Sequence, residues 1–271
     1  MPKRRTALAV VGGLALLTAG TALRATGGHG HSETSPGSAL SALSTAARGL
    51  PRSERPAFVV GKPRLLRKGQ TPARFASVQQ EAVARDRPTP TAGTVAVLAL
   101  KTPEGTSNIA LVLGEVTRPD GQWVHIRLPV LPNDRTGWVP RRVLGGYHFV
   151  HTRLVVDRKR FSATLFRDGR AIFHAAVGVG RPESPTPRGR FYIRDRLSGF
   201  GNPFYGPIAF GTSARSSVLT DWPGGGFVGI HGTNEPDLIP GRISHGCIRL
   251  RNADILRLSR LMPVGTPITI R

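Results

Sequence analysis

Short apolar runs separated by turn-forming residues dominate the chain from residue 94 onward. Runs of this length, rich in β-branched and aromatic residues, predict β-strands rather than helices. The first group of predicted strands covers residues 95–100, 110–116, 122–128 and 137–143. Turn sequences such as Pro-Asp-Gly lie between these runs, and the spacing predicts a small all-β barrel.

A second group of predicted strands follows, at 152–156, 161–166 and 171–179. The dipeptide Asp168-Gly169 is typical of a tight turn, so the last two of these runs are predicted to form a hairpin. A further short strand, at 227–230, ends at His231. The second half of the chain is therefore predicted to be β-rich as well.

One segment, 253–261, carries a helical pattern. Its apolar residues Ile255 and Leu258, together with Met262, are spaced so that they share one face of a helix. Asn252 directly precedes this segment and is the predicted N-cap. We expect a mainly β protein with one short helix.

The N-terminal segment has the pattern of an export signal. Three basic residues at positions 3–5 precede an uncharged stretch at 7–23. Residues 1–25 are therefore either a removed signal peptide or an N-terminal membrane anchor. Residues 26–57 are rich in Gly, Ser, Ala and Pro and are predicted to be a disordered linker. We expect the protein to lie outside the cytoplasm, in the cell envelope.

Two domains are predicted beyond the linker, at 58–146 and 147–271. In the first, we expect a folded core at about 94–146 and a short exposed helix at 79–86. The segments 123–127 (WVHIR) and 137–140 (GWVP) resemble the closing strands of a bacterial SH3-like module. This resemblance implies a barrel that binds the cell wall or a peptide. A barrel that only positions its neighbour is the alternative, because both tryptophans are compatible with ordinary core packing.

The net charge of the chain limits the classes of binding partner that we expect. There are 38 Lys and Arg residues against 16 Asp and Glu residues, which gives a net charge of +22. For an exported protein, this excess favours an anionic cell-wall polymer as a partner. Nucleic acid is not expected, because the chain has no basic block with interleaved aromatic residues.

The candidate chemistry lies at His231 and Cys247. Cys247 is the only cysteine and can form no internal disulfide. A cysteine becomes a strong nucleophile when a histidine takes its proton, and Gly246 leaves the backbone beside the sulfur open to a substrate. We expect the N–H groups of Gly246 and Cys247 to form an oxyanion hole.

Two histidines compete for the role of base. His231 arrives from a separate strand end and can face the sulfur, whereas His245 is only two residues from Cys247. We therefore predict His231 as the base and expect His245 to orient the loop or bind substrate. No aspartate lies in either motif, so the Gly232 carbonyl is the predicted group that orients the imidazole.

A metal site is the alternative use of the same residues. His231, His245 and Cys247 are suitable zinc ligands by type, but they lack the paired ligand spacing of known zinc motifs. There is also no phosphate-binding loop. The sequence therefore predicts no metal and no cofactor.

The C-terminal part of the chain resembles the catalytic domain of the L,D-transpeptidases, the YkuD family. Three motifs carry this resemblance: Thr-Pro-Arg-Gly at 186–189, Ile-His-Gly-Thr at 230–233 and Ser-His-Gly-Cys-Ile-Arg-Leu at 244–250. The family implies that a cysteine attacks a peptidoglycan stem tetrapeptide, expels the terminal D-residue and passes the acyl group to an acceptor amine. The product is a 3→3 cross-link. The family also assigns the acid/base role to the position of His231.

Peptidoglycan stem peptides are therefore the expected substrate, and carbapenem β-lactams the expected covalent inhibitors. We assign substrate binding to Ser244, Arg249 and Tyr205. The Arg249 guanidinium can hold a substrate carboxylate, although a role in supporting the active-site loop stays open. Two alternative functions also stay open, a cysteine L,D-carboxypeptidase and a non-catalytic wall-binding protein.

Overall fold

The computed structural model describes residues 72–198, 202–219 and 226–271, which form two β-sheets and one α-helix. The described residues are thus mainly β, which confirms the fold class that the strand patterns predict. The predicted export segment, the predicted linker and residues 58–71 lie outside the described residues. Among the residues described, no helix has the length and apolar character needed to cross a membrane.

The first sheet has seven strands. They are β1 (Ala73–Val78), β2 (Ala82–Arg85), β3 (Thr94–Leu98), β4 (Ile109–Arg118), β5 (Gly121–Arg127), β6 (Thr136–Pro140) and β7 (Leu144–Val150). Their order in the sheet is β3-β2-β6-β5-β4-β1-β7. Every pairing between these strands is antiparallel. The SH3-like assignment of this region stays a prediction.

The start of the first sheet differs from the sequence prediction. The predicted helix at 79–86 is wrong, because Ala82–Arg85 is β2 and pairs with β3. Folded structure also begins well before residue 94, since β1 pairs with both β4 and β7. Strand pairing and the complete burial of Ala84 outweigh the helical propensity of this polar stretch. At the other end, β7 runs across the predicted boundary at 146 and pairs with β1 as far as Val150.

The second sheet has ten strands. They are β8 (Thr152–Asp157), β9 (Ser162–Arg167), β10 (Arg170–Ala176), β11 (Gly178–Gly180), β12 (Gly189–Ser198), β13 (Ile208–Arg215), β14 (Phe227–His231), β15 (Gly241–Ser244), β16 (Ile248–Arg249) and β17 (Pro267–Ile270). Their order is β10-β9-β8-β17-β12-β13-β14-β16-β11-β15. The predicted hairpin is formed by β9 and β10, which turn at Asp168 and Gly169.

The helix α1 (Asn252–Leu261) packs on the second sheet. Ile255, Leu258 and Met262 are buried in the same core cluster as the central strands, as their spacing predicts. The predicted N-cap is wrong, because Arg251 holds that position and Asn252 is the first helical residue. The Asn252 side chain instead binds the loop after His231, where its Oδ1 accepts the Thr233 N–H at 2.9 Å.

The two sheets meet along a seam that has both apolar and polar contacts, with Ile109, Leu111 and Tyr192 in one buried cluster. Tyr192 is buried and donates its hydroxyl hydrogen bond to the carbonyl of Ile109, at 3.0 Å. The Asn133 side chain bonds to the backbone of Arg215 as both donor and acceptor, at 2.7 and 2.9 Å. Both sheets belong to one compact unit of the chain.

Candidate active site

The two candidate catalytic residues come from neighbouring parallel strands. β14 ends at His231, and β16 begins one residue after Cys247. These strands pair in parallel, with Ile230 opposite Ile248 and His231 opposite Arg249. Cys247 directly precedes Ile248, so this register places it level with Gly229, two residues before His231 on the neighbouring strand. The separation of 16 residues between His231 and Cys247 is therefore closed by a direct strand pairing.

The residue Cys247 is partly exposed and lines a pocket that His231 also lines. The backbone N–H of Gly229 donates to its Sγ at 3.3 Å. Burial raises the pKa of the Cys247 thiol, whereas the Gly229 N–H and the charge of Arg249 act in the opposite direction. Burial has the largest effect, so the resting group is a protonated thiol.

His231 is almost completely buried, at 2% exposure. Its Nδ1 lies 2.6 Å from the Gly232 carbonyl oxygen, which can only accept, so Nδ1 carries the hydrogen. The pKa of His231 is lowered to about 4, mainly by burial. The hydrogen bond to Gly232 raises this pKa, whereas the charge of Arg249 lowers it further. The imidazole is thus neutral near pH 7, and its Nε2 lone pair is available for a proton.

Gly229 lies next to both the Cys247 sulfur and the His231 imidazole. A Cβ atom built on Gly229 would lie 3.7 Å from the Cys247 Sγ and 3.7 Å from the His231 Cδ2. Both groups therefore flank the open space that a glycine leaves at this position. A side chain at position 229 would occupy part of this space.

Three hydroxyl groups hold the loop that carries Cys247. Ser184 donates to the carbonyl of His245 at 2.8 Å, Thr186 to that of Gly246 at 2.8 Å, and Ser244 to that of Cys247 at 2.5 Å. Three successive carbonyl groups of the loop are thus fixed. We call this arrangement the hydroxyl clamp.

Thr186 is 1% exposed, and its Oγ1 also accepts the Gly180 N–H at 2.8 Å. In a trans peptide the carbonyl and the following N–H point in opposite directions. The peptide bond between Gly246 and Cys247 is trans, so the bond from Thr186 turns the Cys247 N–H away from Thr186. Gly246 itself has φ +118°, a conformation that favours glycine.

The predicted oxyanion donors differ in what already binds them. The Gly246 N–H donates to the Ser244 Oγ at 3.1 Å, within the loop. The expectation that this N–H serves a substrate oxygen is therefore not supported by the geometry, and the Cys247 N–H is the better candidate of the pair. Ser244, predicted to bind substrate, lines the pocket but uses its hydroxyl for the two loop contacts.

The remaining predicted residues surround the pocket. Tyr205 packs edge-on against the His231 ring, with centroids 5.1 Å apart. Arg249 is 3% exposed, pairs with Glu235 at 2.9 Å and lies 4.3 Å from the centre of the Phe204 ring. These contacts fit a supporting role for Arg249 and leave little of its charge for a substrate. His245 is exposed and also lines the pocket.

The sequence analysis assigned no role in the site to several residues that contribute to it, namely Gly229, Ser184, Thr186, Glu235, Asn252 and Phe204. Thr186 lies in the quoted Thr-Pro-Arg-Gly motif, which could have suggested a role in the site. The bond from the Gly229 backbone to sulfur has no side-chain signal, so no residue pattern would have revealed it. Within the described residues, no cluster of three His, Cys, Asp or Glu side chains could hold a metal ion.

Comparison with known proteins gives one consistent family. Residues 151–270 match the YkuD family, described as the L,D-transpeptidase catalytic domain. The putative L,D-transpeptidase YkuD of Bacillus licheniformis is 33% identical over 118 residues, which cover 44% of this chain and 64% of that protein. The protein of the same name from Bacillus subtilis is 36% identical over 107 residues, or 40% of this chain and 58% of that protein. The chain thus spans about three fifths of the length of these curated relatives.

A solved structure of an L,D-transpeptidase from Mycobacterium tuberculosis is also similar. The match covers 72% of this chain and 98% of that chain, with 15% identity and a TM-score of 0.40.

Proposed function

Because residues 151–270 form a domain of the YkuD family of L,D-transpeptidases, we propose that this protein is a cysteine-dependent peptidoglycan L,D-transpeptidase. The reaction is the formation of 3→3 cross-links between stem peptides through a thioester intermediate. The observation that carries the proposal is the register of β14 with β16, which puts Cys247 level with Gly229 and two residues from a neutral His231. Family membership supports the transpeptidase class, and this geometry supports the cysteine mechanism.

The first half of the reaction acylates Cys247. As the sulfur attacks the carbonyl of the donor stem, His231 Nε2 takes the thiol proton, since Nδ1 already carries a hydrogen. The Cys247 N–H, fixed by the hydroxyl clamp, stabilises the oxyanion of the tetrahedral intermediate. The C–N bond then breaks, the departing D-residue takes the proton back from His231, and the thioester remains.

The second half releases the product. The acceptor amine attacks the thioester carbonyl while His231 removes a proton from the amine. The C–S bond then breaks, and the proton passes to the departing sulfur, which restores the resting thiol. Because the resting pair is neutral, charge develops only during the two attack steps.

The resting thiol also determines which inhibitors we expect. A carbapenem carries a strained lactam carbonyl that imitates the donor amide, so it should acylate Cys247 through the same proton transfer to His231. We propose an extracytoplasmic location in the cell envelope, on the basis of the N-terminal segment and the net charge of +22. Anionic wall polymers are proposed as further partners.

The test is incubation of the full chain with disaccharide-tetrapeptide, with products identified by mass spectrometry. We expect a dimer that has lost one D-alanine, and Cys247→Ala should form none. Tripeptide without dimer would identify a carboxypeptidase instead. Unchanged substrate, combined with no mass increase after carbapenem treatment, would favour the non-catalytic wall-binding function.

A further inference from the structure

The outer face of β8, β9 and β10 carries a groove that shares no lining residue with the pocket of Cys247. Successive residues of a strand point to opposite faces of the sheet, and Leu154 and Phe173 belong to the buried core. Their neighbours along these strands, such as Val155 and Thr164, line the groove. It encloses about 420 Å³, within the range of roughly 300–1,000 Å³ typical of ligand sites. We call it the outer groove.

The lining of the outer groove is positively charged. Among the described residues, three arginines and one carboxylate line it, namely Arg153, Arg160, Arg271 and Asp157. Asp157 pairs with Arg271 at 3.2 Å. Arg153 and Arg160 are exposed, and neither forms an ion pair with a residue that the structure describes. Two positive charges of the groove are therefore free to meet an anion.

Arg153 is held in place by an aromatic ring. Its guanidinium carbon lies 4.7 Å from the centre of the ring of Phe166, which is its partner in the pairing of β8 with β9. Its N–H groups form no hydrogen bond with any described residue, so they remain available to the oxygens of a phosphate. The contact with the ring also restricts the side chain before binding, which lowers the entropy that a ligand must overcome.

The two free cations lie at opposite ends of the outer groove. Arg153 and Asp157 are four residues apart on β8, which at about 3.3 Å per residue gives roughly 13 Å. Arg160 lies in the turn after β8 and therefore belongs to the end at Asp157. A single small anion would meet one end only. A chain that carries anions at intervals can meet both.

Three further arginines continue the positive charge beyond the end of the groove at Asp157. Arg158 is the next residue, and its guanidinium donates to the carbonyl of Thr186 at 2.5 Å. Burial lowers the pKa of Arg158, and the charges of Arg188 and Arg242 lower it further, so these three cations are close enough to repel one another. None of the three forms an ion pair within the part of the chain that the structure describes. A long polyanion would reduce this repulsion.

From these observations we propose that the outer groove binds a phosphodiester polymer of the cell wall, with one phosphate at Arg153 and another at Arg160. The interval between the two cations favours a polymer over a free phosphate. Single-stranded nucleic acid is disfavoured, because it needs aromatic rings for base stacking and the ring of Phe166 already contacts Arg153.

The position of the outer groove gives this binding a purpose. Since the groove and the pocket of Cys247 have no lining residue in common, a bound polymer would leave the pocket open to stem peptides. The polymer would thus hold the domain at the wall during turnover. This inference rests on the proposed location in the cell envelope, but it does not depend on the chemistry of Cys247.

The test is calorimetry of the full chain with poly(glycerol phosphate) at several salt concentrations. Arg153→Gln and Arg160→Gln should each weaken binding about three- to tenfold. Each should also lower the slope of log Kd against log salt by about one, as loss of one phosphate contact does. Arg153→Lys keeps the charge and should stay within about threefold of wild type. Arg118→Gln is the matched control, because it removes the same charge from an exposed position in the first sheet.

Two results would overturn the binding site. The first is an unchanged affinity and salt slope in folded Arg153→Gln and Arg160→Gln. The second is an equal loss of affinity in Arg118→Gln, which would indicate a response to net charge alone. Single-stranded DNA and polyglutamate of similar length are the comparison probes. If either binds more tightly than poly(glycerol phosphate), the assignment to a phosphodiester wall polymer is wrong.

Carbapenem acylation of the same variants separates this proposal from the proposed function. Arg153→Gln and Arg160→Gln should acylate at the wild-type rate, since neither residue lines the pocket of Cys247. A protein that binds the polymer through these arginines but forms no cross-links would support the outer groove and contradict the transpeptidase reaction. Cross-linking with no polymer binding would contradict the outer groove alone. Circular dichroism checks that each variant is folded.

Discussion

Thr186→Val should separate the position of the nucleophile loop from its chemistry. The substitution keeps the shape of the side chain but removes the hydroxyl that accepts the Gly180 N–H and donates to the Gly246 carbonyl, both at 2.8 Å. Thr186 is 1% exposed, so water cannot easily replace either bond. Two buried backbone groups that lose their partner at about 1–3 kcal/mol each should lower the free energy of unfolding by about 2–6 kcal/mol.

The effect on reactivity should be separate from the effect on stability. Without the Thr186 bond, the peptide between Gly246 and Cys247 can rotate, and the Cys247 N–H no longer has a fixed direction. Loss of one oxyanion donor costs about 10²–10³-fold in rate, so loosening one should slow acylation by about 10- to 100-fold. The assay is the rate of carbapenem acylation, followed by intact-protein mass under conditions where the variant is folded. Thr186→Ser should restore most of the rate.

The matched control is Thr152→Val. Thr152 is also buried and bonds through its hydroxyl to Thr266 at 2.6 Å, but it lies in β8, away from the nucleophile loop. This variant should lose stability and keep its acylation rate. If folded Thr186→Val acylates within about twofold of wild type, or if Thr152→Val is slowed equally, the hydroxyl clamp does not position the oxyanion donor.

Three further predictions follow from the site. Gly229→Ala should stay folded, because its Cβ would meet neighbours only at 3.7 Å, but the rate of acylation should fall about tenfold or more, because the added methyl occupies space next to both the sulfur and the imidazole. Gly180→Ala should fail to fold, because its Cβ would clash with the Ser184 carbonyl. Urea unfolding and acylation rates check both variants. Folding lowers the pKa of His231 from 6.5 to about 4, so the stabilisation from neutral His231 is present above pH 6.5 and is lost as the pH falls towards 4. Over that range the wild type should lose about 3 kcal/mol of unfolding free energy relative to His231→Gln, measured by urea unfolding at each pH. Parallel plots of unfolding free energy against pH for the two proteins would refute the shift. Burial raises the pKa of the Cys247 thiol, so its rate of alkylation by iodoacetamide should begin to rise at a higher pH than that of free cysteine. An alkylation rate that is already constant near neutral pH would instead indicate a resting thiolate.

The strands and the helix could be predicted because their signals are local. Short apolar runs and turn residues predict β5 and the hairpin of β9 and β10, and the spacing of Ile255 and Leu258 predicts α1. The failure at 79–86 has a different cause. The strand state of Ala82–Arg85 depends on β3, which is distant in sequence, so its composition alone misleads.

The site could be predicted at the level of residue types. A lone cysteine between glycine and isoleucine, with a histidine at a strand end, indicates nucleophile and base without any coordinates. The parts that could not be predicted are contacts of the backbone, such as the Gly229 N–H on sulfur and the carbonyl groups held by the hydroxyl clamp. The same limit applies to Arg249, because its pairing with Glu235 depends on loop geometry rather than on sequence spacing.

The parallel pairing of β14 with β16 has a consequence for how this domain can diversify. The distance between His231 and Cys247 is set by the ladder between the two strands, not by the segment that joins them along the chain. The exposed residues 236–238 between these strands can therefore accept insertions or deletions without displacing the nucleophile from its base, whereas Glu235 and Ile239 on either side are held by Arg249 and Arg251. The connecting segment is free to acquire new substrate contacts while the reaction centre keeps its dimensions.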